Sequence, residues 1–203
     1  MTIPTDSGVR PARPDEADTV TRLIADAFVE IPPTHWLIPD DEARRELFPP
    51  YLRIFVEAGY ADGRIDVAVD GTDDPVAAAI WWSSPVPDPA DYERRLATVV
   101  GETYVSRFAT FDAGMHDMHP QEPHEYLGFA AVEPERQGQG HGTRLLTYRH
   151  DQIDAAGASA YLAAASDDAR RLYLRLGYVD HGTPMQLPDG PKMWPMWREP
   201  QRR

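Results

Sequence analysis

The sequence predicts a mixed α/β fold, a central sheet of about six to seven strands flanked by helices. Three observations carry that expectation. Strand-like and helix-like runs alternate in the order β-α-α-β-β-(αα)-β-α-β-α-β-β. One strand-like run, residues 124–132, passes into a helix through the glycine-rich stretch QGQGHG at 137–142. The length, 203 residues with 42% hydrophobic content, suits a single domain with a full core, so residues 1–203 are read as one unit.

Residues 9–13 form a short extended piece. Asp15 is placed to cap a helix starting near Glu16, and Val20, Leu23, Ile24, Ala27 and Phe28 share one face of it. Residues 31–41 read as a Pro-rich loop carrying Trp36. A second helix starts after Asp40. Pro49 and Pro50 interrupt or kink it, residues 51–58 resume it and Gly59 ends it. Residues 66–70 and 76–82 form a hairpin across a turn at 71–75. Residues 88–120 are a helical insertion, with one helix over 91–100 and another over 103–118. After the strand at 124–132, the helix behind the glycines runs to Ala156 and stops at Gly157. Residues 160–165 are a strand, and Ser166 caps a helix that ends at Gly177. Residues 178–187 and Lys192–Arg198 are the last two strands.

Composition excludes several classes of function. The chain has no cysteine, so disulfides, Cys-based zinc sites and a Cys nucleophile are ruled out. A net charge of −13 argues against a nucleic-acid partner, whose backbone is held by Lys and Arg. No apolar run reaches the roughly 18–20 residues that span a bilayer, and the N-terminal stretch lacks an apolar leader segment. A soluble cytoplasmic protein with no membrane partner is expected, with homodimerisation left open.

The glycine stretch is the informative motif. Gly138, Gly140 and Gly142 alternate with other residues just before a helix. A Walker A loop needs glycine at 143 followed by Lys; Thr143 stands there and no Lys follows. The dinucleotide fingerprint GxGxxG fails at the same position. The physics survives without either template. Glycines let successive backbone N–H groups turn inward, and the helix behind them points its free N–H groups at the same spot. A phosphate or pyrophosphate is the natural ligand, with Arg136 and Arg144 beside it.

These residues carry a resemblance. Gln137-Gly138-Gln139-Gly140-His141-Gly142 is similar to the (Q/R)-x-x-G-x-(G/A) signature of the GCN5-related N-acetyltransferases (GNAT). Val132-x-Pro134 before it and Leu145-Leu146 after it fit too. SDDARRLYLRLGY at 166–178 resembles that superfamily's second landmark, with Ser166 where many relatives have Asn. Looser matches at 28–40, AIWW at 79–82, HPQEPHEYL and GPKMWPMWREP resemble the puromycin N-acetyltransferase branch.

The resemblance implies a mostly antiparallel twisted sheet and acetyl-CoA as co-substrate. Pyrophosphate would lie on the N–H groups of Gln137, Gly138, Gln139, Gly140, His141, Gly142 and Thr143. The pantetheine arm would pair with the backbone of Ala130, Ala131 and Val132, and Ser166 and Tyr173 would add contacts. The implied reaction is direct acetyl transfer to a primary amine of a small molecule. A backbone N–H near Ala131 or Val132 would hold the oxyanion, and Tyr173 would protonate the leaving thiolate; Tyr173 also suits plain packing. The base is left open among His116, His119, His124 and Glu30. Glu30, His35, Trp36, Trp82, His119 and Tyr126 are the candidates for the acceptor pocket. The histidine spacing fits no zinc pattern and no metal is expected. Two other readings stand beside this one, a protein or peptide acetyltransferase and a non-catalytic acyl-CoA sensor.

Overall fold

Four strands lead the sheet, each antiparallel to the one before. They are β1 (Val9–Pro11), β2 (Arg64–Val69), β3 (Pro75–Ser83) and β4 (Glu125–Val132). They come from a computed structural model that describes residues 8–201; residues 1–7, the start of the stretch expected to lack an apolar leader, and 202–203 lie outside it. β5 (Ala160–Ala164) runs parallel to β4. β6 (Val179–Asp180), β7 (Met185–Gln186) and β8 (Lys192–Arg198) complete the sheet, and β8 pairs antiparallel with all of β5, β6 and β7. The order is β1-β2-β3-β4-β5-β8-β6, with β7 on β8. The expected mostly antiparallel sheet is therefore present. The strand expected over 178–187 is instead two short pieces, parted by Gly182 with φ near +77° and by Pro184, which has no N–H for a ladder.

Helices α1 (Ala17–Phe28), α2 (Pro32–Leu37), α3 (Asp41–Asp62) and α4 (Tyr92–Asp117) cover one face of the sheet. α5 (His141–Ala156) and α6 (Asp167–Arg175) supply the other face. α5 places Leu145, Leu146 and Ile153 against Ala68, Ala77 and Ala79; the alanines let the helix lie close. Arg149 on α5 reaches through this layer to Asp66 on β2, with Nε 2.8 Å from Oδ2. Asp66 is fully buried and its Oδ1 has no hydrogen-bond partner among the described residues.

Several local expectations are corrected. Asp15 caps nothing; the turn Pro14–Glu16 leads into α1, and the Glu16 carboxylate accepts from the Arg13 N–H. The Pro-rich loop is the short helix α2, because Pro32 and Pro33 sit at its first turn, where no N–H is needed. Thr34 Oγ1 donates within that turn to the Phe28 and Ile31 carbonyls, 2.8 Å each. Buried Arg44 donates to Val29 O at 2.8 Å and Ile38 O at 2.9 Å, tying the ends of α1 and α2 to α3.

α3 starts as expected, with Asp40 accepting from Ala43 N at 2.8 Å. It then runs unbroken past Pro49 and Pro50. The carbonyls robbed of a partner belong to Arg45 and Glu46, both exposed to water, while Phe48, Tyr51, Leu52 and Val56 keep one buried face. Gly59 does not end the helix. A Cβ there would sit 2.6 Å from the Ile80 side chain, so this glycine allows α3 to touch β3, and Gly63 is the cap. α4 breaks at Gly101, whose φ is near +64°, which leaves the two helices expected.

Candidate active site

β4 and β5 part company. Their ladder holds at Glu125–Ala160, Tyr126–Tyr161 and Leu127–Leu162, and no rung follows. On the opposite edge of β4 the register passes from Trp81–Leu127 to Ile80–Phe129, so Gly128 is a bulge. A bulge bends its strand and sharpens the twist. It also resets which side chains face where. Tyr126, Phe129 and Ala131 pack on the helical face of α1–α4, and Leu127, Ala130 and Val132 on the α5 face. Gly128 cannot be larger, since a Cβ would lie 2.6 Å from the Trp82 ring.

One cavity of about 820 Å³ follows this split from one face of the sheet to the other. At one end lies the glycine loop. Gly138 (φ near +73°) and Gly140 (φ near +85°) adopt left-handed conformations that disfavour other residues, and nothing stands within 4 Å of where their Cβ atoms would be. Gly142 has ordinary dihedrals; its Cβ would press on Val132 at 3.2 Å, so it serves close packing of α5 on β4. The first N–H groups of α5, at 141–143, have no helical carbonyl to bond and no side-chain cap, and these residues line the cavity. Gln137, Gly138, Gly140, His141, Gly142, Thr143 and Arg136 line this end. Gln139 turns away, its amide donating to Glu135 O at 3.1 Å, and Arg144 points to Val69 O and His141.

Ala130, Ala131 and Val132 line the waist of the cavity, with Ser166 and Tyr173 opposite them. Ser166 accepts from Ala169 N at 3.2 Å and so starts α6, as expected. Tyr173 packs edge-on against Tyr178 at 5.7 Å between ring centres. Its hydroxyl has no partner among the described residues, and burial pushes its pKa up to about 12. It therefore holds its proton at neutral pH.

The other end is an aromatic chamber walled by Phe28, Phe55, Tyr92, Phe111, Tyr126 and Phe129. Phe129 lies 5.7 Å from Phe28 and 5.2 Å from Phe55, ring centre to ring centre. Trp82 and Tyr126, both expected here, line it and stack at 6.4 Å. A carboxylate, Asp112, sits in this wall and accepts a hydrogen bond from Tyr92 Oη at 2.8 Å. Desolvation raises its pKa to about 6.

Residues 92–199, more than half of the chain, match the sequence model described as an acetyltransferase (GNAT) domain. The chain belongs to the GNAT acetyltransferase family. Family members use acetyl-CoA. The fold agrees. A Corynebacterium glutamicum protein described as "histone acetyltransferase HPA2 and related acetyltransferase" is 28% identical, with TM-score 0.72 over 96% of this chain and 97% of that one. Arylalkylamine N-acetyltransferase 2 from Aedes aegypti superposes with TM-score 0.64 at 10% identity, over 95% and 98% of the two chains. A chain of the NatC complex bound to Gag peptide and CoA gives TM-score 0.51 at 16% identity, over 94% and 96%. The latter two establish the fold alone. GNAT acceptors thus span small amines and peptides, and the chain is an acyltransferase.

Glu30, His35, Trp36, His116, His119, His124 and Gln139, all nominated from sequence, do not line this GNAT cavity. Glu30 is exposed, ion-paired to Arg45 and 3.2 Å from His35 Nε2. Trp36 donates from Nε1 to Pro188 O at 2.8 Å and lies under the Arg107 guanidinium. His119 and His124 face each other, Nε2 to Nε2 at 3.1 Å, against Tyr161. The Glu122 carbonyl, 2.7 Å from His124 Nδ1, can only accept, so the neutral His124 carries its proton on Nδ1 and its Nε2 accepts a hydrogen bond from His119 Nε2–H. Burial lowers both pKa values, that of His119 to about 4. These imidazoles are neutral at pH 7 and occupied with each other.

Sequence reading missed Asp112 and Tyr92. A signal for Asp112 exists. Phe108, Phe111, Asp112 and Met115 fall at i, i+3, i+4, i+7, so an acid interrupts the apolar stripe of a helix.

Proposed function

We propose that the chain acts as one acetyltransferase unit, with α4 as a helical insertion, and transfers acetyl from acetyl-CoA to a primary amine of a small molecule. The observation that carries this reading is the continuous cavity passing from the glycine loop, through a break in the sheet, to a chamber walled by aromatic rings. The residues fit acetyl-CoA. The open cradle over Gly138 and Gly140 suits a pyrophosphate, with Arg136 beside it. Beyond Leu127 the edge of β4 facing the split pairs with no strand, which leaves room for a peptide-like arm, although the Val132 carbonyl accepts from Gln137 Nε2 at 3.3 Å. When bound, acetyl-CoA supplies an activated acyl group. Backbone N–H groups near Ala131 and Val132 then stabilise charge developing on the carbonyl oxygen, and Tyr173 donates its proton to the departing sulfur. A chamber closed by aromatic rings favours a small acceptor over a peptide, and the loose likeness to the puromycin branch makes puromycin a first amine to try.

The test follows CoA release with acetyl-CoA and a panel of amines, puromycin and a Lys peptide included. Small amines should turn over and the Lys peptide should not. No turnover of any amine, with acetyl-CoA bound tightly, would leave the sensor reading in its place. The loop makes a separate prediction. Gly140→Ala forces a left-handed residue at the cradle at a cost of roughly 1–2 kcal/mol, so CoA should bind about tenfold more weakly by calorimetry. Unchanged affinity would mean that the loop does not hold the pyrophosphate.

A further inference from the structure

A carboxylate in an aromatic wall calls for an explanation. Asp112 uses one oxygen, Oδ2, to accept from Tyr92. Oδ1 accepts no hydrogen bond among the described residues, and no Arg, Lys or His is paired with the group. This is unusual economy in a protein where nearly every other carboxylate placed off the surface has a cation, Glu16 with Arg10 and Asp154 with Arg198 among them. The titratable neighbours from the packed elements are Tyr92, Tyr51 on α3 beyond it, and exposed Asp88 at the rim; none brings positive charge. A half-buried carboxylate is disfavoured unless a cation or donor compensates it. Asp112 lines the cavity, so a cationic ligand there can supply the missing partner.

We propose that Asp112 is the ion partner and first proton acceptor of the acceptor's ammonium group, and that the acceptor is a monoamine on a flat, apolar body. This rests on the acetyltransferase reading above. The charge balance of the chamber sets the class. One carboxylate neutralises one ammonium, and the remaining wall of Phe28, Phe55 and Phe129 offers ring faces and edges but no second charge. A polyamine would bury an unpaired cation, and a Lys side chain would bring polar backbone into the same wall. Tyr92 holds the carboxylate in place from the side away from the free oxygen.

The step balances. The ammonium gives one proton to Asp112, and the neutral nitrogen attacks the thioester carbon. A C–N bond forms and the C–S bond breaks. The second proton lost from nitrogen replaces the one Tyr173 passes to sulfur. The first leaves Asp112 for solvent, so the products are amide, thiol and one released proton.

The experiment compares wild type with Asp112→Asn on 2-phenylethylamine, spermidine and a Lys peptide, alongside calorimetry with CoA. Asparagine keeps an acceptor for Tyr92, and an unchanged melting temperature checks the fold. Wild type should prefer 2-phenylethylamine to spermidine by at least about tenfold in kcat/KM. Asp112→Asn should lose roughly 10²-fold in kcat/KM for 2-phenylethylamine and bind CoA normally. Tyr92→Phe should show a smaller loss, mainly in KM. If wild type acetylates the amines but Asp112→Asn does so equally well, the role of Asp112 is overturned and the acetyltransferase reading stands. Equal or better turnover of spermidine or the Lys peptide overturns the acceptor class. No acetylation of anything by wild type removes the reading beneath both.

Discussion

Tyr173→Phe is expected to lower kcat by roughly 10²-fold while acetyl-CoA binds as before. The substitution removes one oxygen and leaves the ring. The edge-on packing against Tyr178 at 5.7 Å survives, so fold and cavity shape are kept. What is lost is a hydroxyl that no other described residue engages and that burial keeps protonated, its pKa near 12. Such a group cannot act as a base at neutral pH; it keeps a proton that can be passed to the departing sulfur as Tyr173 regains one from the attacking nitrogen. Stopped assays of CoA release, with binding measured by calorimetry, separate the two parameters. A kcat equal to that of wild type would show that the thiolate leaves unaided or takes its proton from water.

The largest expected effect on stability lies at Arg149. Arg149→Ala should cost about 3–5 kcal/mol in urea unfolding, because it strands the Asp66 carboxylate in the sheet. Asp66 is wholly buried, already has one unpaired oxygen, and is held by Arg149 Nε at 2.8 Å. Even with Arg149 present, desolvation raises the Asp66 pKa above its ordinary value. The pH trend follows from that direction. A folded-state pKa above the unfolded one means that the folded chain binds the proton more tightly, so the variant should regain stability as pH falls. Asp66→Leu combined with Arg149→Met should be far more stable than Arg149→Ala alone. If the single variant loses under about 1 kcal/mol, solvent reaches this pair.

The glycine-loop end of the cavity was legible in the sequence because glycine is a local signal. Gly138 and Gly140 answer to their own dihedral angles, and Ser166 to a hydrogen bond three residues away. Gly157 marks the end of α5 for the same reason. The acceptor half is assembled from α1, α3, α4 and β4, and nothing local in Asp112 announces that Tyr92, twenty residues earlier, will bond it. Glu30 and His119 have suitable chemistry for a base, but packing turns them to Arg45 and to His124. The Pro49-Pro50 pair misled for a related reason. Its cost depends on whether the orphaned carbonyls meet water, which only the orientation of α3 decides.

The parting of β4 from β5 has a mechanical side. Two half-sheets, β1–β4 and β5–β8, are joined along their backbones at 125–127 and 160–162, at one end of the seam. Beyond that point the two half-sheets share no backbone pairing. A ligand that hydrogen-bonds to the open edge of β4 takes the place of a strand and knits the half-sheets together. Occupancy and rigidity then become one quantity, and the protein is at its stiffest when it is charged for reaction.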